Sequence, residues 1–222
     1  MRLLPAILVA LLATASHAPK TISIATSDGG EIFADLYGEG PKGLVLAHGG
    51  RFNKESWQKQ AQAFAAAGFQ VLALDFRGYG KSHGPGQSDL FTAPLKLDVL
   101  AAVHYLRNNG AKTVTVIGAS LGGGAAGDAA IAAPNEIDRV VFLGSAPNGP
   151  ADKLKCPTLF IVARDDANGD GPRLPGIRAQ YEKAPQPKDL IILSGSAHAQ
   201  YLFETEQSER VMREILQFLS AK

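Results

Sequence analysis

Six short apolar runs recur along this chain, and each is continuous rather than alternating: "GLVLAHGG", "FQVLALDFRG", "TVTVIGAS", "RVVFLGSAP", "PTLFIVARDD" and "DLIILSGSAH". A strand with one wet face alternates apolar and polar residues, whereas a strand covered on both faces is free of that alternation. Helical stretches fall between the runs. "KESWQKQAQAFAAAG" begins after Asn53 and stops at Gly68, and "PLKLDVLAAVHYLRNNG" carries Leu97, Leu100, Val103 and Leu106 on one side and stops at Gly110. "ETEQSERVMREILQFLSAK" reads as an amphipathic C-terminal helix. Strands alternating with helices through right-handed crossovers give a mostly parallel, doubly wound sheet. Upstream, "TISIATSDG" and "EIFADLYG" flank Asp28-Gly29-Gly30 and predict an antiparallel opening hairpin. The 222 residues hold no repeat, low-complexity tract or interdomain linker, so the expectation is one α/β domain with a core large enough to stand without staples.

The first residues read differently. "MRLLPAILVALLATASHA" opens with one positive charge at Arg2, runs through apolar Leu3 to Leu12, and reaches the small-residue pattern Ala13-Thr14-Ala15. That order predicts a secretory signal peptide over residues 1–15, with cleavage as late as residue 18 as the alternative and the domain proper spanning 19–222. The run is too short to span a bilayer, which takes about 20 apolar residues. The expected location is therefore secreted or periplasmic, with no membrane span once the signal is removed.

Charge excludes some partners. With 22 Lys and Arg against 21 Asp and Glu, the chain has neither the basic stripe that binds nucleic acid nor an acidic tail. Cys156 is the single cysteine, which forbids an intramolecular disulfide. It stands before "PTLFIV" and is expected to be buried at a strand entrance.

In a sheet of this kind ligands gather at the carboxyl ends of the strands, and three of those ends carry chemistry. In "GASLG", Ser120 sits between Gly118 and Gly122, which let a strand and a helix approach closely and lift the hydroxyl above the sheet edge. A serine hydroxyl is a weak nucleophile until a base takes its proton. In "IVARDDANGD" a strand ends in carboxylates at Asp165 and Asp166, with Asp170 a weaker candidate. A base histidine needs such an acceptor to fix its tautomer. In "IILSGSAHAQYLFE", His198 follows the last strand and is the natural general base. No His, Cys and carboxylate group has metal-ligand spacing, and the dinucleotide pattern G-x-G-x-x-G fails where Ser120 replaces its second glycine. No cofactor is expected.

These motifs resemble those of the α/β-hydrolase family, over a stretch from about Thr21 to the C-terminus. "HGG" at His48–Gly50 resembles the loop that lends an oxyanion-hole amide. "DFRGYGKS" at Asp75–Ser82 resembles the D-x-R-G-x-G-x-S turn, "GASLG" the nucleophile elbow, "ARDD" the acid-bearing strand end, and "GSAH" the base. The resemblance implies Ser120 as nucleophile, His198 as base, and Asp166 as orienting acid, the last chosen over Asp165 by its spacing from Pro157. It further implies backbone N–H groups of Leu121 and Gly50 as the oxyanion hole, with Arg51 the neighbouring alternative to Gly50. His48 becomes a loop-shaping residue, His104 a helical one and His83 part of a loop.

The segment "SAPNGPADKLKC" is too short for the helical lid that many members insert, so the expectation is an open site bounded by loops Gly78–Ser88 and Asp166–Gly176. The implied activity is that of a lid-free serine esterase on small or accessible ester or acylated substrates. A peptidase or amidase, an acyltransferase, and a non-catalytic binding protein on the same fold are the alternatives. Nothing in the sequence demands more than a monomer.

Overall fold

The computed structural model of the protein describes residues 18–221. The expected signal peptide lies outside the described residues. A central sheet of eight strands has the order β1-β2-β4-β3-β5-β6-β7-β10. Its members are β1 (Lys20–Ala25), β2 (Glu31–Tyr37), β3 (Lys42–Ala47), β4 (Gln70–Leu74), β5 (Thr113–Ala119), β6 (Arg139–Leu143), β7 (Thr158–Ala163) and β10 (Lys188–Leu193). β1 and β2 form the antiparallel hairpin expected at the start, β2 pairs antiparallel with β4, and every other pairing is parallel. Two further short strands, β8 (Ala167–Asn168) and β9 (Gly171–Pro172), make a separate small hairpin after β7.

The continuous apolar runs are explained by what covers them. On one face Val45, Leu72, Val116, Phe142 and Phe160 pack with α2 (Leu95–Asn108), α3 (Leu121–Ala132) and α4 (Leu174–Lys183). On the other, Leu44, Leu46, Ile117, Val141 and Ile161 pack with α1 (Gln58–Ala66) and α5 (Ser208–Ser220). Burying one such aliphatic or aromatic side chain contributes roughly 1.5–3 kcal/mol, so the two layers together hold the sheet without covalent help.

Several element limits differ from expectation. The stretch after Asn53 opens as a 3-10 turn, Lys54–Trp57, before α1; Asn53 Oδ1 caps it by accepting the Ser56 N–H at 3.1 Å. In α2 the buried stripe includes Leu95, Val99, Ala102 and Leu106 together with Asp98 and Val103, while Leu97 and Leu100 are half-buried. The stripe is shifted because Asp98 turns inward to a buried arginine. The C-terminal helix starts at Ser208, since Ala199–Glu204 forms a 3-10 helix of its own. α4 has no counterpart in the sequence expectation, which gave a loop to Gly176 and no element between there and β10; its first turn carries Pro175, a residue tolerated at a helix start but silent in an apolar-periodicity search. Between β6 and β7 the regular structure is the short turn Ala151–Lys153, and no cap domain sits there.

Cys156 is 8% exposed, and burial pushes its thiol up to about 11. No helix among the described residues is long and apolar enough to cross a membrane.

Candidate active site

β5 delivers Ser120 to the middle of the carboxyl edge of the sheet. The residue has φ 51° and ψ −114°, a left-handed backbone that costs a non-glycine residue on the order of 1–3 kcal/mol. Its surroundings hold it there. The Ser120 N–H donates to the Leu143 carbonyl of β6 at 3.0 Å, and the Ser120 carbonyl accepts from Gly123 and Gly124. The turn is so tight that a β-carbon on Gly118 would stand 2.6 Å from the Gly123 α-carbon, and one on Gly122 would stand 2.6 Å from the Ala47 carbonyl carbon. Only glycine at these two positions lets α3 fold back against β3 and β5.

His198 and Asp166 converge on that hydroxyl from the ends of β10 and β7. His198 Nε2 lies 2.7 Å from Ser120 Oγ, and Nδ1 lies 2.7 Å from Asp166 Oδ2. An ionised carboxylate only accepts, so Nδ1 carries the proton and Nε2 is free to accept the serine O–H. Asp166 is fully buried, whereas Asp165 is exposed and takes no part. Asp170 is exposed on the β8–β9 turn, where its carboxylate accepts from Asn168 Nδ2 at 3.1 Å.

Backbone donors flank the same serine. Leu121 begins α3, and its N–H has no partner among the described residues, as expected in the first turn of a helix. The loop after β3 supplies the other side. The Gly49 carbonyl is held by the Phe52 N–H and by His48 Nδ1, each at 2.9 Å. The Gly50 N–H, on the same peptide, therefore points the opposite way and has no protein partner among the described residues. The Gly50 carbonyl accepts from the Tyr79 hydroxyl at 2.7 Å.

His48 is fully buried and makes two oriented contacts. Nδ1 donates to Gly49, and Nε2 accepts from the Phe76 N–H at 3.2 Å, so the ring is neutral. Burial lowers its pKa from 6.5 to about 4. His104 and His83 are exposed and away from Ser120; His104 faces Glu136 at 3.4 Å, and His83 bridges to Glu31 beside β2.

The "DFRGYGKS" turn proves to be a scaffold. Arg77 is fully buried and binds Asp98 on α2 and Asp28 in the β1–β2 turn, both at 2.6 Å. That contact holds the Asp28 carboxyl down at about 2. Ser82 Oγ donates to the Asp75 carbonyl and accepts from the Phe33 N–H, and Asp75 Oδ1 accepts from the Lys54 N–H. Two residues beside the site escaped the sequence reading. Gln200 ties the β3 loop to the His198 loop, and Arg173 approaches Asp166; neither belongs to a motif with a spacing signal.

These groups open on a cleft of about 1190 Å³ lined by Phe52, Tyr79, Phe91 and Tyr201 and by residues of the 167–177 segment. Of the two loops expected to border it, 166–176 contributes most of its length and 78–88 contributes Tyr79. Among the described residues no group of three or more His, Cys, Asp or Glu is disposed to hold a metal ion.

The sheet order, the serine elbow and the converging histidine and aspartate define an α/β enzyme-type scaffold with its site at the strand ends. Residues 43–212 match the family described as alpha/beta hydrolase fold, and the chain belongs to it. A 2-hydroxy-6-oxononadienedioate/2-hydroxy-6-oxononatrienedioate hydrolase of Paraburkholderia phymatum is 32% identical over 133 residues, which cover 56% of this chain and 43% of that protein. A pimeloyl-[acyl-carrier protein] methyl ester esterase of Cronobacter sakazakii is 32% identical over 117 residues, 53% of this chain and 41% of that protein. The chain thus spans less than half the length of these curated relatives. Among solved structures, an esterase of Pyrococcus furiosus superposes with a TM-score of 0.74 at 20% identity, covering 91% of this chain and 93% of that one.

Proposed function

We propose that this protein is a serine hydrolase, a carboxylic-ester hydrolase acting through an acyl-enzyme on Ser120, and that its N-terminal segment directs it to a secreted or periplasmic location. The observation that carries the reading is the unbroken relay Ser120 Oγ to His198 Nε2 to Asp166 Oδ2, with 2.7 Å at each link. Residues 167–177 and an aromatic rim leave room beside it for a small ester. The esterases among its relatives and structural neighbours support the same class.

In this reading Ser120 Oγ attacks the acyl carbon while His198 Nε2 takes its proton. The imidazolium that forms is stabilised by buried Asp166. The carbonyl oxygen becomes an oxyanion and receives the N–H groups of Leu121 and Gly50, at the start of α3 and in the β3 loop. Donors fixed before the reaction need no reorganisation, and losing one typically costs about 3–4 kcal/mol. The tetrahedral adduct collapses, the C–O bond to the alcohol breaks, and His198 returns the proton to the departing oxygen. Water then gives its proton to His198 and its hydroxyl to the acyl carbon. Ser120 leaves with the proton, and a carboxylic acid is released.

Intact mass after treatment with a fluorophosphonate probe tests this directly. One adduct on the wild type and none on Ser120→Ala is the expected result. No adduct on either would sink the reading.

A further inference from the structure

One wall of the cleft carries a charge that ester hydrolysis leaves unused. Arg173 closes the loop that Asp166 opens: its N–H donates to the Asp166 carbonyl at 2.9 Å. Its Nε lies 3.4 Å from Asp166 Oδ1, and both atoms are sealed from solvent without a proper hydrogen bond. The carboxylate's other oxygen is taken by His198. A guanidinium whose task was only to brace Asp166 would present its two-nitrogen fork at 2.7–2.9 Å. Here a single long contact anchors one edge, and the two terminal amino groups make no hydrogen bond to any described residue. The side chain is 31% exposed and lines the cleft.

Other features put positive potential in the same space. Arg173 immediately precedes the ten-residue helix α4, and Gly176 and Ile177 of that helix's first turn line the cleft as well, so a helix N-terminus borders it. Arg51 lines it from the β3 loop, on the other side of β5 in the sheet order, exposed and with no hydrogen bond or ion pair to a described residue. The acidic residue lining the cleft is Asp170, already bonded to Asn168 at the outer hairpin turn. Arg173 shares its charge with Asp166 through Nε alone, which leaves its terminal amino groups, the unpaired Arg51 and a helix start facing a cleft whose one acidic lining residue is already bonded.

We propose that the cleft selects esters that carry a second, anionic group, a carboxylate on the acyl or the alcohol part, received by the terminal amino groups of Arg173 with Arg51 adding to the field. This rests on the hydrolase reading above and names its substrate class. Arg173 also couples the two ends of such a substrate, because the side chain that receives the anion touches the carboxylate that orients His198.

The test compares kcat/KM within two matched pairs: mono-4-nitrophenyl glutarate against 4-nitrophenyl pentanoate, and 4-acetoxybenzoate against its methyl ester. For the wild type, the anionic member of at least one pair is preferred by about 10- to 100-fold, the range expected of a hydrogen bond to a charged group. Arg173→Gln lowers that ratio toward one, Arg173→Lys restores part of it, and rising ionic strength erodes it. Equal rates within both pairs, or an Arg173→Gln variant that lowers both members of a pair by the same factor, would overturn the proposal; the second result would confine Arg173 to bracing Asp166. Failure of the hydrolase reading is told apart by calorimetry on Ser120→Ala. Binding of monoethyl glutarate there, weakened by about tenfold or more in Ser120→Ala/Arg173→Gln, supports the anion subsite whatever the turnover; no binding removes it.

Discussion

Gln200 and Gly49, 151 residues apart in the chain, meet beside Ser120: Gln200 Oε1 accepts the Gly49 N–H at 2.7 Å. The same side chain donates from Nε2 to Ser56 Oγ at 2.8 Å, and Gln200 is 5% exposed. It stands two residues after His198, past Ala199, whose φ is 53°. One amide thus locks the loop that carries the Gly50 N–H to the loop that carries His198. A β-carbon on Gly49 would lie 3.4 Å from the Ser120 β-carbon, so a small drift of this loop is felt at the serine.

Gln200→Ala should therefore lower kcat on a 4-nitrophenyl ester by about 10- to 100-fold with little change in KM. On the proposed mechanism the variant displaces the loop that carries the Gly50 N–H, a donor whose loss is felt only as charge develops on the substrate oxygen. Gln200→Glu keeps the acceptor for Gly49 and should recover part of kcat. A variant whose KM rises while kcat holds would show that Gln200 shapes the binding surface instead.

His48 makes stability depend on acid. Its folded pKa of about 4 lies below the unfolded 6.5, so between those values the unfolded chain binds the extra proton. Stability then rises with pH across that window, and as pH falls from 6.5 to 4 this one residue removes about 3 kcal/mol. Urea denaturation at steps from pH 7 to pH 4, run beside His48→Gln, checks it. The difference between the two curves isolates His48 from the carboxylates and should flatten above pH 6.5. Parallel curves throughout would contradict the assignment.

Asp98 neutralises a guanidinium that has no access to water. Arg77 Nε and Nη2 and the Arg77 N–H all donate to its carboxylate. Asp98→Ala leaves Arg77 with Asp28 and the Pro85 carbonyl, a half-served buried charge. Breaking one side of such a buried pair costs about 3–5 kcal/mol. A fall of that size in the unfolding free energy of Asp98→Ala is the expected outcome, and a change below 1 kcal/mol would mean that Asp28 alone suffices.

What the sequence made legible divides along physical lines. The sheet was readable because strands covered on both faces must be continuously apolar, and because Gly118 and Gly122 leave a signature wherever a strand and helix nearly touch. Ser120, His198 and a carboxylate after β7 were readable because strand ends in such a sheet share one edge, while the choice of Asp166 over Asp165 came from the spacing that the family resemblance implies. α4 was not, since its start carries Pro175 and Gly176 and its apolar face is thin. Asp98 inside α2 looked like any helical acid until Arg77 was seen to face it. Gln200 and Arg173 act through partners 151 and seven positions away, and no local spacing encodes either contact.

The choice between the neighbouring carboxylates is the sharpest remaining test of the site. Asp165 and Asp166 both follow β7, but the chain turns between them. Asp165 stays in solvent with its N–H on the Gly195 carbonyl, while Asp166 goes inside to meet His198 Nδ1. Asp166→Asn replaces an acceptor by an amide that can present its NH₂ to the ring, favouring the tautomer whose Nε2 carries the proton and cannot take another. Its kcat should fall by about 10⁴-fold, the scale of losing tautomer control in a Ser-His-Asp relay. Asp165→Asn touches none of this and should stay within about threefold of wild type, as surface substitutions do. Steady-state rates on one activated ester separate the two variants, and equal losses in both would mean that the strand end, rather than the Asp166 carboxylate, positions His198.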